Sequence, residues 1–281
     1  MEEICEFRIW EKYAARLFAP NEGKRLGSLT RKVEMRVNDA RFKAVGDLNA
    51  SIQRHENDLF FTYWNIRRHY RKEELEKAEL FLLWNIATFE PAGEECGTQY
   101  AESVACPKCK AGARQATPLF LDWRRIPKGK DIARTIAGEI VVSRRLVELF
   151  EQHSIRGAEF WPIRQRPASS AESKDWFQLT VQSHAAQVVL PTKIGINPFD
   201  EDVAGEYRCP LGDLIGLARL SEVWISRASY TGLDIVASSQ FVGTRRGLLR
   251  PERFLLASPK LQKVIETRKL KGYKIEVAYL A

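Results

Sequence analysis

Two stretches of this sequence, 115 residues apart, follow the same pattern. In "EIVVSRRLVELFEQHSIRGAEFWPI" and "FLLASPKLQKVIETRKLKGYKIEVAYL", a short apolar strand leads to Ser143 or Ser258. Each serine can cap the N-terminus of an amphipathic helix, and Gly157 or Gly272 permits a left-handed exit into a second strand. In the second stretch Pro259 occupies the first helical position, where its missing N–H costs nothing. The pattern predicts a repeated strand-helix-strand unit; two unrelated units that obey the same capping rules remain the alternative.

The rest of the chain reads as a mixture of strands and helices. "GSLTRKVEMRVNDARF", "DLFFTYWNI" and "FLLWNIATFE" are strand-like, whereas "YRKEELEKAEL" has helical composition. We therefore predict an α+β fold of two lobes rather than a solenoid, which needs more copies of a shorter repeat. The predicted divisions are an N-terminal region at 1–90, a cysteine-rich turn with the first unit at 91–165, a polar loop at 164–175, and a C-terminal lobe at 176–281.

The five cysteines are an odd number in a chain of this length and do not suggest a disulfide framework. Cys106 and Cys109 form a Cys-x2-Cys turn that is typical of zinc sites, and the Gly- and Pro-rich sequence after it disfavours a redox pair. Cys96 is a candidate third ligand. Cys209 is the candidate fourth, because "RCPLGD" repeats the "CP" opening with Gly212 at the place of a second cysteine. The prediction is one structural zinc in a degenerate zinc ribbon; the alternative is a decayed ribbon that binds no metal.

The net charge of +8 and the pI near 9.2 indicate an acidic protein surface or nucleic acid as a partner. Basic residues form four short clusters, at 67–72, 123–130, 244–250 and 267–274, interleaved with acidic residues. Such clusters are also common on ordinary solvated surfaces. No apolar run approaches the length of a membrane span, and the N-terminus does not resemble a secretory signal, so we expect a cytoplasmic protein.

Common enzyme signatures are absent from the sequence. It contains no glycine-rich phosphate loop, no H-E-x-x-H and no G-x-S-x-G, and only four histidines. The acidic cluster at 200–206 lacks the spacing of a calcium loop. We therefore expect a protein that is not an enzyme.

The segments "CPKCKAG", "YRCPLGD" and the two paired endings together resemble the double-CXXCG proteins of bacterial polymorphic toxin systems, which are immunity-like proteins. The resemblance covers roughly residues 91–281. The first family motif falls on Cys106 and Cys109, with Lys110 where the family has glycine, and the second falls on Cys209 alone, with Gly212 in place of its partner.

The resemblance implies a stoichiometric, non-catalytic protein that occludes a bacterial toxin or effector. Such an interface would have aromatic and arginine side chains at its centre. The candidate contact residues are Arg245, Arg246, Trp224 and Tyr230, with Trp161 and Trp176 as further aromatic candidates. A basic zinc-ribbon protein that binds nucleic acid, as a regulator or defence component, is the alternative function.

Overall fold

The computed structural model describes residues 1–166 and 171–281. It contains 20% helix and 38% strand, which confirms the α+β class and makes the fold rich in strands. Within the described ranges, no helix is long and apolar enough to cross a membrane. The predicted polar loop at 164–175 includes residues 167–170, which lie outside the described residues; on either side of it, strands end at Arg164 and begin at Glu172.

The chain divides into two compact units. The first comprises Met1–Glu76 and Ile196–Glu201, and the second comprises Lys77–Gly195 and Asp202–Ala281. Up to residue 77 the elements are β1 (Glu2–Trp10), α1 (Glu11–Ala14), β2 (Lys24–Leu26), β3 (Thr30–Arg36), α2 (Phe42–Glu56), β4 (Phe61–His69) and α3 (Lys72–Lys77).

The first unit is built on an antiparallel sheet in the order β2-β3-β1-β4. Cys5, Phe7 and Ile9 alternate along β1 with more exposed residues, and all three are fully buried on one face of the sheet. The ring of Phe199, from the segment 196–201 of this unit, stacks on Phe7 with centroids 5.9 Å apart. An added Cβ at Gly46 of α2 would overlap the Phe199 ring, so the glycine makes room for this contact.

The second unit contains most of the remaining elements. From residue 80 onward they are β5 (Leu80–Asn85), β6 (Thr88–Phe89), β7 (Tyr100–Ala101), β8 (Arg114–Gln115), β9 (Ile132–Thr135), β10 (Ile140–Ser143), α4 (Arg144–Gln152), β11 (Ala158–Arg164), β12 (Glu172–Val181), β13 (Ile194–Asn197), β14 (Asp200–Glu201), β15 (Ala218–Arg219), β16 (Val223–Ile225), β17 (Ile235–Val242), β18 (Glu252–Ala257), α5 (Pro259–Thr267) and β19 (Tyr273–Leu280).

Two five-stranded sheets of this unit share the same arrangement of four strands and differ in where the fifth strand is added, β6 beside β9 in one and β16 beside β19 in the other. Their orders are β11-β12-β10-β9-β6 and β16-β19-β5-β18-β17. In each sheet an inner strand, β12 or β5, pairs antiparallel with both strands that flank a helix. β12 follows β11 in the chain, whereas β5 precedes every other strand of the two sheets. β5 therefore joins a sheet whose other strands all come much later in the chain.

The two stretches with the matching sequence pattern form matching local elements, β10-α4-β11 and β18-α5-β19. The Oγ of Ser143 accepts a hydrogen bond from the N–H of Leu146 at 3.3 Å, and the Oγ of Ser258 accepts one from Leu261 at 3.2 Å. Each helix ends at a left-handed residue that is not glycine, Ser154 with φ of 48° or Lys269 with φ of 51°. The predicted glycines come three residues later, directly before the next strand, with φ of 103° at Gly157 and 105° at Gly272. We call β9-β10-α4-β11 the first copy and β17-β18-α5-β19 the second copy.

In each copy, the aspartate just before the first strand accepts a hydrogen bond from the other copy. Asp131 accepts the hydroxyl of Ser143 from its own copy and, at 2.9 Å, the N–H of Lys271 from the other copy. Asp234 likewise accepts the hydroxyl of Ser258 and, at 2.9 Å, the N–H of Arg156. Reciprocal contacts of this kind define an approximate twofold axis.

Candidate metal centre

Two cysteine turns lie before the two copies and share one hydrogen-bond geometry. In the first cysteine turn (residues 106–111) the N–H of Cys106 donates to the carbonyl of Ala111 at 2.8 Å. In the second cysteine turn (residues 209–214) the N–H of Cys209 donates to the carbonyl of Leu214, also at 2.8 Å. The turns are separated by 103 residues, the same spacing as Asp131 and Asp234. The duplication therefore extends upstream to include the cysteines.

The two turns bring four ligand groups together. The sulfur atoms of Cys106, Cys109 and Cys209 and a carboxylate oxygen of Asp213 all lie within 4.8 Å of one another. The sulfurs of Cys106 and Cys209 are 3.7 Å apart, and no disulfide joins them. A tetrahedral zinc site with Zn–S bonds of about 2.3 Å has edges of about 3.8 Å between sulfurs. The observed separation fits that geometry.

The surroundings of the group suit a bound cation. Cys106 and Cys209 are buried together with Leu214, and Phe241 packs against them. Burial raises the pKa of the Cys109 thiol to about 12, so without a cation this thiol stays protonated at neutral pH. Burial also acts to raise the pKa of Cys209, but the N–H of Leu211, 3.4 Å from its sulfur, and the neighbouring thiols outweigh it and lower that pKa. A metal ion would convert all three thiols to thiolates.

Asp213, and not the predicted Cys96, completes this group of four. Cys96 is buried at the end of a 3-10 helix (Glu94–Cys96), and its N–H is bonded to the carbonyls of Ala92 and Gly93. Gly93 lies against the carboxylate of Glu139, which accepts its N–H at 3.2 Å and would overlap an added Cβ. The turn at 93–97 is thus packed against the β9-β10 hairpin. Asp213 directly follows Gly212, the position where the sequence lacks its second cysteine.

The four predicted partner-contact residues are in different environments. Trp224 stacks on Tyr279 with ring centroids 4.5 Å apart, and the hydroxyl of Tyr230 donates to the carbonyl of Leu233 at 3.0 Å. Arg245 forms an ion pair with Glu102 at 2.5 Å. Arg246 is exposed. These candidates do not gather into one exposed cluster.

Trp161 is the most prominent exposed aromatic side chain among the candidates, at 56% exposure. Its indole N–H donates to the hydroxyl of Thr180 at 3.1 Å, which fixes the ring at one wall of a groove of about 440 Å³. The charged side chains in the lining, Arg164 and Glu172, form an ion pair at 2.8 Å. Among the described residues that line this groove, the one acid and the one base are therefore paired with each other, and the groove offers a surface for contact.

The basic clusters differ in how far ion pairs neutralise them. In the cluster at 67–72 each Arg and Lys is paired: Arg67 with Glu34, Arg68 with Glu3, Arg71 with Glu74 and Lys72 with Glu76. In the cluster at 244–250, Arg245 and Arg250 are both paired with Glu102. The clusters at 123–130 and 267–274 retain exposed cations, and the structure brings them together.

Comparison of the sequence with models of known protein families and with curated proteins gives no match. The function must therefore be argued from the site and the surface.

Proposed function

We propose that the chain is a non-catalytic protein-binding protein whose two copies are joined by one structural zinc ion. The observation that carries the proposal is the group of Cys106, Cys109, Cys209 and Asp213 within 4.8 Å. Three thiolates and a carboxylate are all ligands that zinc accepts, and four of them complete a tetrahedron. Catalytic zinc sites keep a position open for water, so a complete set favours a structural role.

The position of the site supports this role. Cys106 and Cys209 occupy equivalent positions in the two cysteine turns, and their sulfur atoms lie 3.7 Å apart. Equivalent residues come this close to each other only when both lie beside the twofold axis. His153 and Arg268, equivalent residues at the ends of α4 and α5, are also in contact at 3.4 Å. A zinc ion between the cysteine turns would cross-link the copies at one end of that axis. The result is a stiff scaffold, which suits recognition of a folded partner.

We infer a protein partner from three further observations. Two of the four basic clusters are largely neutralised by ion pairs, which leaves little of a continuous phosphate-binding track. Trp161 is exposed beside a groove whose described lining holds one acid and one base, paired with each other. The arrangement of two cysteine turns and two endings is the one that resembles the immunity-like double-CXXCG proteins. On this proposal the partner is a toxin or effector with an acidic surface.

The zinc part of the proposal is tested by native mass spectrometry of the purified chain and three variants. The wild type should carry one zinc ion, and Cys209→Ser and Cys109→Ser should carry none. Cys96→Ser is the matched control, because Cys96 is also a buried free cysteine but lies outside the group, and it should retain the metal. Zinc that persists in Cys209→Ser, or disappears in Cys96→Ser, would contradict the assignment.

The binding part is tested by affinity capture from the source cells, followed by native mass spectrometry of the eluted complexes. The expected result is a complex of one chain with one partner protein, stable after nuclease treatment. Capture of nucleic acid that is released by moderate salt, with no protein partner, would support the nucleic-acid alternative instead.

A further inference from the structure

Two basic clusters that are far apart in the sequence form one surface of the second unit. Asp131, which follows the cluster at 123–130, donates its N–H to the carbonyl of Lys271 at 2.8 Å. A guanidinium nitrogen of Arg145, at the start of α4, donates to the carbonyl of Arg268 at 2.6 Å. These contacts assemble what we call the basic surface, which consists of Lys130, Arg145, Arg268, Lys269 and Lys271.

The positive charge of the basic surface is only partly neutralised. Asp131 is buried, and its carboxylate already interacts with Ser143, Arg145 and the N–H of Lys271. Glu266 on α5 is a further carboxylate near this region: after burial, its charge is the next cause that raises the pKa of Tyr273. Within the described residues, no ion pair is found for Lys130, Lys269 or Lys271. Arg145 alone of the basic surface shares the buried carboxylate of Asp131 in an ion pair.

Comparing equivalent positions in the two copies shows whether the fold itself requires these cations. The equivalent positions on the other side of the axis hold different residues: Leu233 for Lys130, Lys260 for Arg145, His153 for Arg268, Ser154 for Lys269 and Arg156 for Lys271. The backbone is the same in both places, with φ of 51° at Lys269 and 48° at Ser154. The fold accepts leucine, histidine and serine at three of these sites.

Folding therefore does not account for the basic surface. Cations near the C-terminus of α5 would favour the helix dipole, but α4 ends equally well with His153 and Ser154. A cluster of exposed lysines that adds repulsion without a structural need indicates selection for a partner of opposite charge.

We propose that the basic surface docks the acidic surface of a protein partner; this inference rests on the protein-binding function proposed above. The surface is confined to the start of α4, the segment after α5 and the residue before Asp131, a size that suits one patch of a standard interface. Its five members are lysines and arginines with no aromatic ring among them, whereas single-stranded nucleic acid is usually held by stacking its bases on aromatic rings. Duplex binding would need a longer track of cations, and the clusters at 67–72 and 244–250 are occupied by ion pairs.

Two probes test the docking surface on the full, zinc-loaded chain: poly-L-glutamate of about 20 residues, and a duplex DNA of about 20 base pairs. Binding is measured at low and at moderate salt. The test variant combines Lys269→Ser, the residue of the other copy, with Lys271→Gln. The control variant combines Arg156→Gln, at the position equivalent to Lys271, with Lys43→Gln on α2, and so removes the same charge elsewhere.

We expect poly-L-glutamate to bind the wild type and the control variant equally and the test variant about tenfold more weakly. Equal binding by the test variant would overturn the docking surface but leave the protein-binding function standing. No binding of poly-L-glutamate to the wild type at low salt would also overturn the docking surface. If the wild type prefers DNA over poly-L-glutamate and the test variant loses this preference, both the docking surface and the protein-binding function would be overturned. Circular dichroism of each variant separates loss of charge from loss of fold.

Discussion

The two copies approach each other closely at two glycines, and this contact can be tested directly. Gly272 directly precedes β19 with φ of 105°, and an added Cβ would overlap the carbonyl oxygen of Ile132 in the other copy. Gly157 has the reciprocal contact with the carbonyl oxygen of Ile235. We predict that Gly272→Ala destabilises the second unit, because the new methyl group meets backbone and not a flexible side chain.

The expected cost has two parts. A non-glycine residue at positive φ costs about 1–2 kcal/mol, and forcing a methyl group into a packed contact costs about 1–3 kcal/mol more. Gly272→Ala should therefore lower the free energy of unfolding by about 3 kcal/mol. Gly129 and Gly232 are matched controls, with φ of 69° and 70° and nothing within 4 Å of an added Cβ. Substituting alanine at either should cost only the first part, about 1 kcal/mol.

The measurement is guanidinium unfolding of the zinc-loaded chain, followed by the fluorescence of its seven tryptophans. Gly272→Ala and Gly157→Ala should unfold at clearly lower denaturant than the two control variants. If Gly272→Ala and Gly129→Ala unfold at the same concentration, the close contact between the copies is not present and the reciprocal packing is wrong.

Three further predictions concern stability. Ser258→Ala removes a cap and leaves Asp234 without its hydroxyl partner, so it should cost about 1–2 kcal/mol in the same assay, and Ser258→Thr should recover part of the loss. Phe199→Ala should destabilise the first unit by about 3 kcal/mol and leave zinc content unchanged; equal loss of metal would contradict separate roles for the two cores. Arg124 lowers the pKa of Asp122 to about 2, so stability from this pair should be complete above about pH 4 and disappear as the pH falls towards 2. In Asp122→Asn, the free energy of unfolding should change less with pH in that range. An unchanged slope would contradict a stabilising ion pair between Arg124 and Asp122.

The repeat was predictable because capping is local. Ser143 and Ser258 reveal helix starts within four residues, and the glycines that precede the following strands stand at the same spacing. The pairing of β5 with β18 and β19 was not predictable, because strand pairing across more than a hundred residues leaves no local signal.

Helix α2 is not among the predicted elements. Val45 and Ile52 are fully buried one heptad apart, but Asn49 and Gly46 interrupt the apolar face between them. The interruption has a tertiary cause: the side chain of Asn49 accepts the N–H of Phe60 at 3.0 Å, and Gly46 accommodates the Phe199 ring. Long-range contacts therefore explain Asn49 and Gly46, although both residues weaken the helical pattern of the sequence.

The candidate site was partly predictable. Cys106 and Cys109 carry a metal signature in their spacing, and the "CP" opening identified Cys209. Asp213 carries no such signature, since aspartate is common in turns, and only the folded arrangement shows it beside the sulfurs. Cys96 has a plausible spacing but is held elsewhere by the packing of Gly93 against Glu139.

X-ray absorption at the zinc edge of the metal-loaded chain tests the central claim most directly. The account predicts a first shell of three sulfurs at about 2.3 Å and one oxygen at about 2.0 Å, supplied by both cysteine turns. The oxygen should be lost, with weaker metal binding, in Asp213→Ala. A shell of four sulfurs would place Cys96 or Cys5 at the metal, and a shell of light atoms alone would remove the cysteine turns from the site; either result would contradict the account.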